Sequence, residues 1–189
     1  MNILLLTHGA GSNRNAPLLV ALANAFAEHE VEVLRYDLPF RQERPKGPPR
    51  PGDAARDREG LREQITKLRE QHPGQVWLGG QSYGGRQSSM LAADTPGLVD
   101  RLLLLSYPLH APGKPAQLRT AHFAKLNTPA LFVHGSRDPF GSLEEMRAAI
   151  QLIPASVMLI EAEGAGHDLG RNHAALVQRI VDQWELMRR

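Results

Sequence analysis

A chain of 189 residues, 42% apolar and 22% charged, has the material for one independently folding core. With 22 Lys and Arg against 20 Asp and Glu, the formal charge of +2 gives no field of the kind that marks a nucleic-acid binder, and no nucleic-acid partner is expected. Cysteine is absent, which excludes disulfides, thiolate metal sites and cysteine nucleophiles.

The chain opens on an apolar run, residues 2–7, that stops at Thr7-His8-Gly9. It is too short for the core of a signal peptide and lacks a basic leader, so it reads as a buried strand. No run approaches membrane-spanning length. We therefore expect a cytoplasmic protein with no membrane partner, forming a single domain over 1–189. Further strands are expected at 31–36, 75–79, 101–106, 130–134 and 156–161. Most are continuous apolar runs rather than alternating ones, as in a parallel sheet covered on both faces. Helices are expected at 17–28, 53–71, 85–93, 142–153 and 172–187, with a shorter one at 118–125. About six mostly parallel strands flanked by helices make an α/β fold. The exception is 37–52, rich in proline and arginine, which reads as a solvated loop with no regular helix. A second reading makes it a flap beside the site whose Arg41, Arg44, Lys46 and Arg50 favour acidic substrates.

Between the third strand and its helix stands Gly80-Gln81-Ser82-Tyr83-Gly84. A serine on so sharp a strand-to-helix turn is strained, and residues two positions to either side come too close to carry a Cβ. The turn would lift Ser82 Oγ above the sheet edge, while the Tyr83 N–H lies at the positive end of the helix and suits an oxyanion. Such a nucleophile needs a base, and the base needs an acid. Asp138 follows the fifth strand in a loop that Pro139 keeps extended, and no carboxylate lies between Tyr107 and Arg119 after the fourth. His167 follows the sixth strand in Gly164-Ala165-Gly166-His167. The other histidines suit the role less well: His29, His72 and His122 fall in or near helices and read as surface residues, His173 opens the last helix, His110 reads as solvated, and His8 and His134 shape turns at strand ends. A metal cluster of His8, His134, Asp138 and His167 would leave the serine elbow unexplained, and no metal or other cofactor is expected. His8-Gly9-Ala10-Gly11 after the first strand lacks the third glycine of a dinucleotide fingerprint. It reads better as an oxyanion loop in which the Ala10 N–H joins that of Tyr83. Ser12, Asn13 and Arg14 would add donors there or serve as caps.

Together these residues resemble the α/β-hydrolase superfamily: His8-Gly9-Ala10-Gly11, Gly80-Gln81-Ser82-Tyr83-Gly84-Gly85, Asp138 and Gly166-His167, in the expected order along the chain. With Tyr36-Asp37-Leu38-Pro39-Phe40, they are similar to a small subgroup related to dienelactone-hydrolase-like esterases and to a subunit of a chromatin acetyltransferase complex. The resemblance implies a minimal α/β-hydrolase fold. The hairpin that usually precedes the oxyanion strand is missing, and residues 107–117 are too few for a lid domain. It implies a Ser82–His167–Asp138 triad acting on small or soluble carboxylic esters or thioesters. Tyr83, Tyr107, Leu109 and Phe140 either line the substrate site or pack. The rival readings are acyl transfer to an alcohol or peroxide by the same triad, and a non-catalytic interaction module on the same fold. Oligomeric state and acyl preference are not legible.

Overall fold

Six apolar runs become six strands in the computed structural model, which describes residues 1–170 and 173–188. The strands are β1 (Asn2–Thr7), β2 (Val31–Tyr36), β3 (Val76–Gln81), β4 (Arg101–Leu105), β5 (Ala130–Gly135) and β6 (Val157–Ala162). They form one sheet in the order β2-β1-β3-β4-β5-β6, and every pairing is parallel. The chain leaves β1 toward one edge and returns at β3 toward the other, so the strand order reverses between β1 and β3. Ligands of open α/β sheets bind at such a switch point, beyond the carboxyl ends of the strands. The register sets Thr7 beside Gly80 and Gln81 beside Leu105. The loops after β1, β3 and β4 therefore open at one level.

Helices cover both faces, which is why most of the strands carry no apolar/polar alternation; the edge strand β2, with Glu32 and Arg35, is the exception. Leu4, Leu6, Trp77, Leu103 and Val133 point to the face packed by α1 (Pro17–Ala27) and α6 (Ala174–Arg188). There Trp184 meets Trp77 edge-on at 5.0 Å and Phe26 at 6.0 Å. Ile3, Leu5, Leu78, Leu104 and Phe132 point to the other face. It is covered by α2 (Pro39–Glu43), α3 (Asp53–Gln71), α4 (Tyr83–Asp94) and α5 (Leu143–Ile150). The start of α5 is fixed by a capping box: Ser142 Oγ accepts the Glu145 N–H at 3.1 Å, and the Glu145 carboxylate accepts the Ser142 N–H at 2.7 Å.

The helix α2 corrects the reading of 37–52 as free of regular helix. Proline is tolerated where it falls, at the first turn of α2, because that turn's N–H groups have no intrahelical partner. The helix stops at Arg44, extended at φ −127° as a residue before proline should be. Of the short helix expected at 118–125, only a 3-10 turn, Phe123–Lys125, forms. The last helix, expected from 172, begins at Ala174; position 172 lies outside the described residues. Between β4 and that 3-10 turn the chain forms no helix or strand, so no lid domain stands over the sheet. Among the described residues no helix is long and apolar enough to cross a membrane.

Candidate active site

At the end of β3 the chain turns into α4 within one residue, and that residue is Ser82, at φ 50° and ψ −112°. A non-glycine residue in this region costs about 1–3 kcal/mol, so the surroundings must hold it. They do so by close approach. A Cβ on Gly80 would come within 2.6 Å of the Gly84 backbone, and one on Gly84 within 2.5 Å of the His8 carbonyl oxygen. Both glycines of the motif are thus required by packing, as the sequence implies. The Ser82 N–H donates to the Leu105 carbonyl at 2.8 Å, which ties the elbow to β4.

Three side chains from three strand ends meet there. His167 Nε2 lies 2.7 Å from Ser82 Oγ, and His167 Nδ1 lies 2.8 Å from Asp138 Oδ2. With Nδ1–H donating to the carboxylate, the Nε2 lone pair faces the serine hydroxyl, the tautomer that a general base requires. The Asp138 side chain is fully buried, and its other oxygen accepts the Phe140 N–H at 2.8 Å. The Phe140 ring stacks on the imidazole at 4.1 Å, so one residue steadies both Asp138 and His167. Tyr107 and Leu109, by contrast, are fully buried packing.

The two expected oxyanion donors flank the serine. Tyr83 is the first residue of α4, where an N–H has no intrahelical acceptor. A Cβ on Gly9 would lie 3.6 Å from Ser82 Cβ, which sets the Gly9–Ala10 peptide close to Ser82. Among the described residues the Ala10 N–H has no backbone acceptor. Of the neighbouring polar residues, Asn13 accepts the Asn15 N–H at 2.8 Å and Arg14 pairs with Asp37 at 3.6 Å, so both shape the approach to α1.

Arg41 is the residue whose environment differs most from its expected one. Its guanidinium is buried and donates to four carbonyls: Ala10 at 2.8 Å, Ser12 at 2.8 Å, Arg44 at 3.0 Å and Gly47 at 2.9 Å. It is a clamp on the loop after β1, closed from α2. Arg44 is spent as well, in an ion pair with Asp53. Of the four basic residues assigned to a flap, only Lys46 and Arg50 remain exposed.

Asp57 belongs to no motif of the sequence. It is fully buried on α3 and accepts the Tyr83 hydroxyl at 2.7 Å and the Phe40 N–H at 2.9 Å. Burial pushes its carboxyl upward, against the two hydrogen bonds, and pushes the Tyr83 phenol up as well. A signal existed: Asp57 stands four residues before Leu61 and eight before Ile65, on the buried stripe of its helix.

Three of the other histidines, His8, His134 and His110, have structural partners. His8 is buried, and its desolvation holds the ring below its usual pKa. The neutral ring bonds the Gly9 carbonyl at 2.8 Å and accepts the Leu38 N–H at 3.1 Å. His134 bonds the Gly141 carbonyl at 2.7 Å. His110, expected to be solvated, is buried between the Ala111 carbonyl and Glu145.

Near Ser82 and His167, on the α1 side, lies a cavity of about 420 Å³ lined by Ser12, Ala16, Pro17, Gln81, Asp168 and His173, among others. Gln81 and Asp168 are the chain neighbours of Ser82 and His167, so the cavity lies one residue along the chain from each.

The fold has many relatives. Structures similar to this one include an alpha-beta serine hydrolase homologue from Coxiella burnetii, 21% identical, with a TM-score of 0.77 over 96% of this chain and 84% of that one. A dienelactone hydrolase from Anabaena variabilis is 20% identical, with a TM-score of 0.75 over 99% and 86%. A serine hydrolase without lid from Xanthomonas campestris is 17% identical, with a TM-score of 0.70 over 96% and 82%. At such identities the likeness establishes the fold, and the family follows from the sequence itself: residues 1–183 match the model of the alpha/beta hydrolase domain. The chain belongs to the alpha/beta hydrolase family and is a hydrolase enzyme.

Proposed function

We propose that this hydrolase is a serine esterase, cleaving small or soluble carboxylic esters or thioesters through Ser82, His167 and Asp138. The observation that carries the reading is the unbroken hydrogen-bonded line from Ser82 Oγ through both nitrogens of His167 to Asp138, at 2.7 and 2.8 Å. In the first half-reaction Ser82 Oγ bonds to the ester carbonyl carbon while its proton passes to His167 Nε2. The carbonyl oxygen takes up negative charge, and the N–H groups of Ala10 and Tyr83 bind it. The intermediate collapses with loss of the alkoxide, or thiolate, which takes the proton from His167. In the second half-reaction water attacks the acyl-serine, gives its proton to His167, and returns Ser82 with release of the acid. Asp138 holds the ring in the working tautomer and stabilises the imidazolium at each step.

A small, accessible substrate is supported by the absence of a lid domain, by a quarter-exposed His167 side chain and by the adjoining cavity of about 420 Å³. Structural likeness to a dienelactone hydrolase and to a lidless serine hydrolase agrees with this choice. Ser82→Ala is expected to lower the turnover of p-nitrophenyl acetate by several powers of ten, because triad members act as a unit. Wild-type turnover in that variant would refute the assignment.

A further inference from the structure

His134 is the next-to-last residue of β5, and the turn that follows brings Asp138 back beside it. His134 Nδ1 lies 3.9 Å from Asp138 Oδ2, and both side chains are fully buried. The same oxygen is 2.8 Å from His167 Nδ1, so two imidazoles face one carboxylate oxygen. His134 Nε2 lies 2.7 Å from the Gly141 carbonyl, which only accepts, so Nε2 carries a proton. Nδ1 is enclosed by protein and has no hydrogen-bond partner.

A neutral ring would turn the Nδ1 lone pair toward the carboxylate, acceptor against acceptor in a site closed to solvent. A second proton reverses the sign. At 3.9 Å the contact is too long for a hydrogen bond, but a buried cation and a buried carboxylate attract strongly. Asp138 otherwise takes only neutral donors in the resting site, the Phe140 N–H and His167, and a lone buried charge is unfavourable. Among the described residues no lysine or arginine pairs with it. The other charged groups around His134 are committed elsewhere. Glu161, its register partner on β6, pairs with Arg147 of α5 at 2.6 Å, and Glu145 of α5 holds the Ser142 N–H and meets His110 at 3.4 Å. Arg137, within the turn, is exposed. On the β4 side Leu105 is the register partner of Val133, which sets Ser106 opposite His134; its buried hydroxyl makes no hydrogen bond to the ring. The next phenol, of Tyr107, donates to the Arg119 carbonyl at 2.7 Å.

We propose that His134 is a positioning residue for the triad: it carries a proton on each ring nitrogen, and its charge offsets part of the Asp138 charge felt by His167. The inference rests on the reading of Ser82, His167 and Asp138 as a triad. A cation behind Asp138 disfavours the imidazolium form of His167, so the base stays free of its proton to lower pH. In His134→Gln the amide nitrogen takes the place of Nε2 on the Gly141 carbonyl, without the charge. The acid limb of kcat/KM on p-nitrophenyl acetate should then move up by about one pH unit relative to the wild type. A merely structural role would change the height of the profile and leave the limb where it is. The proton count is read separately, by nitrogen-15 NMR of the wild-type imidazoles with His134 assigned through its backbone; at neutral pH both of its nitrogens should carry a proton. A limb that stays in place or moves down, or a bare Nδ1 on His134, overturns the proposal, while ester cleavage that Ser82→Ala abolishes leaves the triad standing. Should His134→Gln fail to fold, or no ester be cleaved, the proton count decides alone: two protons support the charge on His134, and one contradicts it.

Discussion

Ser82 holds its backbone at a φ of 50° because its neighbours leave it no alternative: Gly80, Gly84 and the His8 carbonyl are packed too tightly for a relaxed turn. Strain at a single residue is thus maintained by the absence of two Cβ atoms, and the glycine spacing makes it legible in the sequence. Asp57 is harder to read, because a buried carboxylate on an amphipathic helix leaves only a polar letter at the head of the buried stripe, where Asp53 stands one turn earlier. Its partners, Tyr83 and Phe40, lie 26 and 17 residues away. His122 reads from its sequence as a surface residue, yet it is half-buried with Nε2 on Ser89 Oγ at 2.8 Å. Burial, and next the charge of Arg86, lower its pKa to about 4 from 6.5. A histidine depressed on folding contributes stability that is complete above the unfolded value. That contribution is lost as pH falls from about 6.5 toward 4, because the unfolded chain takes up the proton first. Urea unfolding of the wild type should therefore weaken more steeply across that interval than unfolding of His122→Gln. Parallel slopes would remove His122 from the acid response.

At the scale of elements, the segment 37–52 carries most of what the sequence conceals. Its prolines and arginines suggest solvent, but proline at the first turn of α2 is compatible with a helix, and Arg41 faces inward. Nothing local announces this, because the four carbonyls that satisfy the guanidinium belong to two separate stretches of chain. Two of them, on Ala10 and Ser12, belong to the loop that presents the proposed oxyanion donor. Arg41 is then a positioning residue. Arg41→Met should lower kcat on p-nitrophenyl acetate by about tenfold or more with little change in KM, since the loop acts on the developing charge. It should also cost about 1–3 kcal/mol of stability through unsatisfied carbonyls. Arg41→Lys should recover part of the kcat, as one ammonium reaches fewer carbonyls than the fork. A variant that loses stability but keeps kcat would reduce Arg41 to a strut.

Across the whole molecule, function follows from where a parallel sheet reverses its strand order. The loops after β1, β3, β5 and β6 supply Ala10, Ser82, Asp138 and His167 to one edge. The strands are legible in the sequence because a short, continuous apolar run bounded by turn residues suits a strand covered on both faces and little else. Turn residues at strand ends mark the triad candidates before any contact is known. The distance that closes the site is not legible: His167 reaches Ser82 across 85 residues of chain, and only the sheet register brings them together. The central claim is that this contact activates Ser82. Its most direct test is intact-mass analysis after treatment with a fluorophosphonate, which reacts with an activated serine and leaves idle hydroxyls alone. The account predicts a single adduct on Ser82 in the folded wild type, none in Ser82→Ala, and greatly slowed labelling in His167→Ala. Folded wild-type protein that stays unmodified, or an adduct that persists in Ser82→Ala, would contradict it.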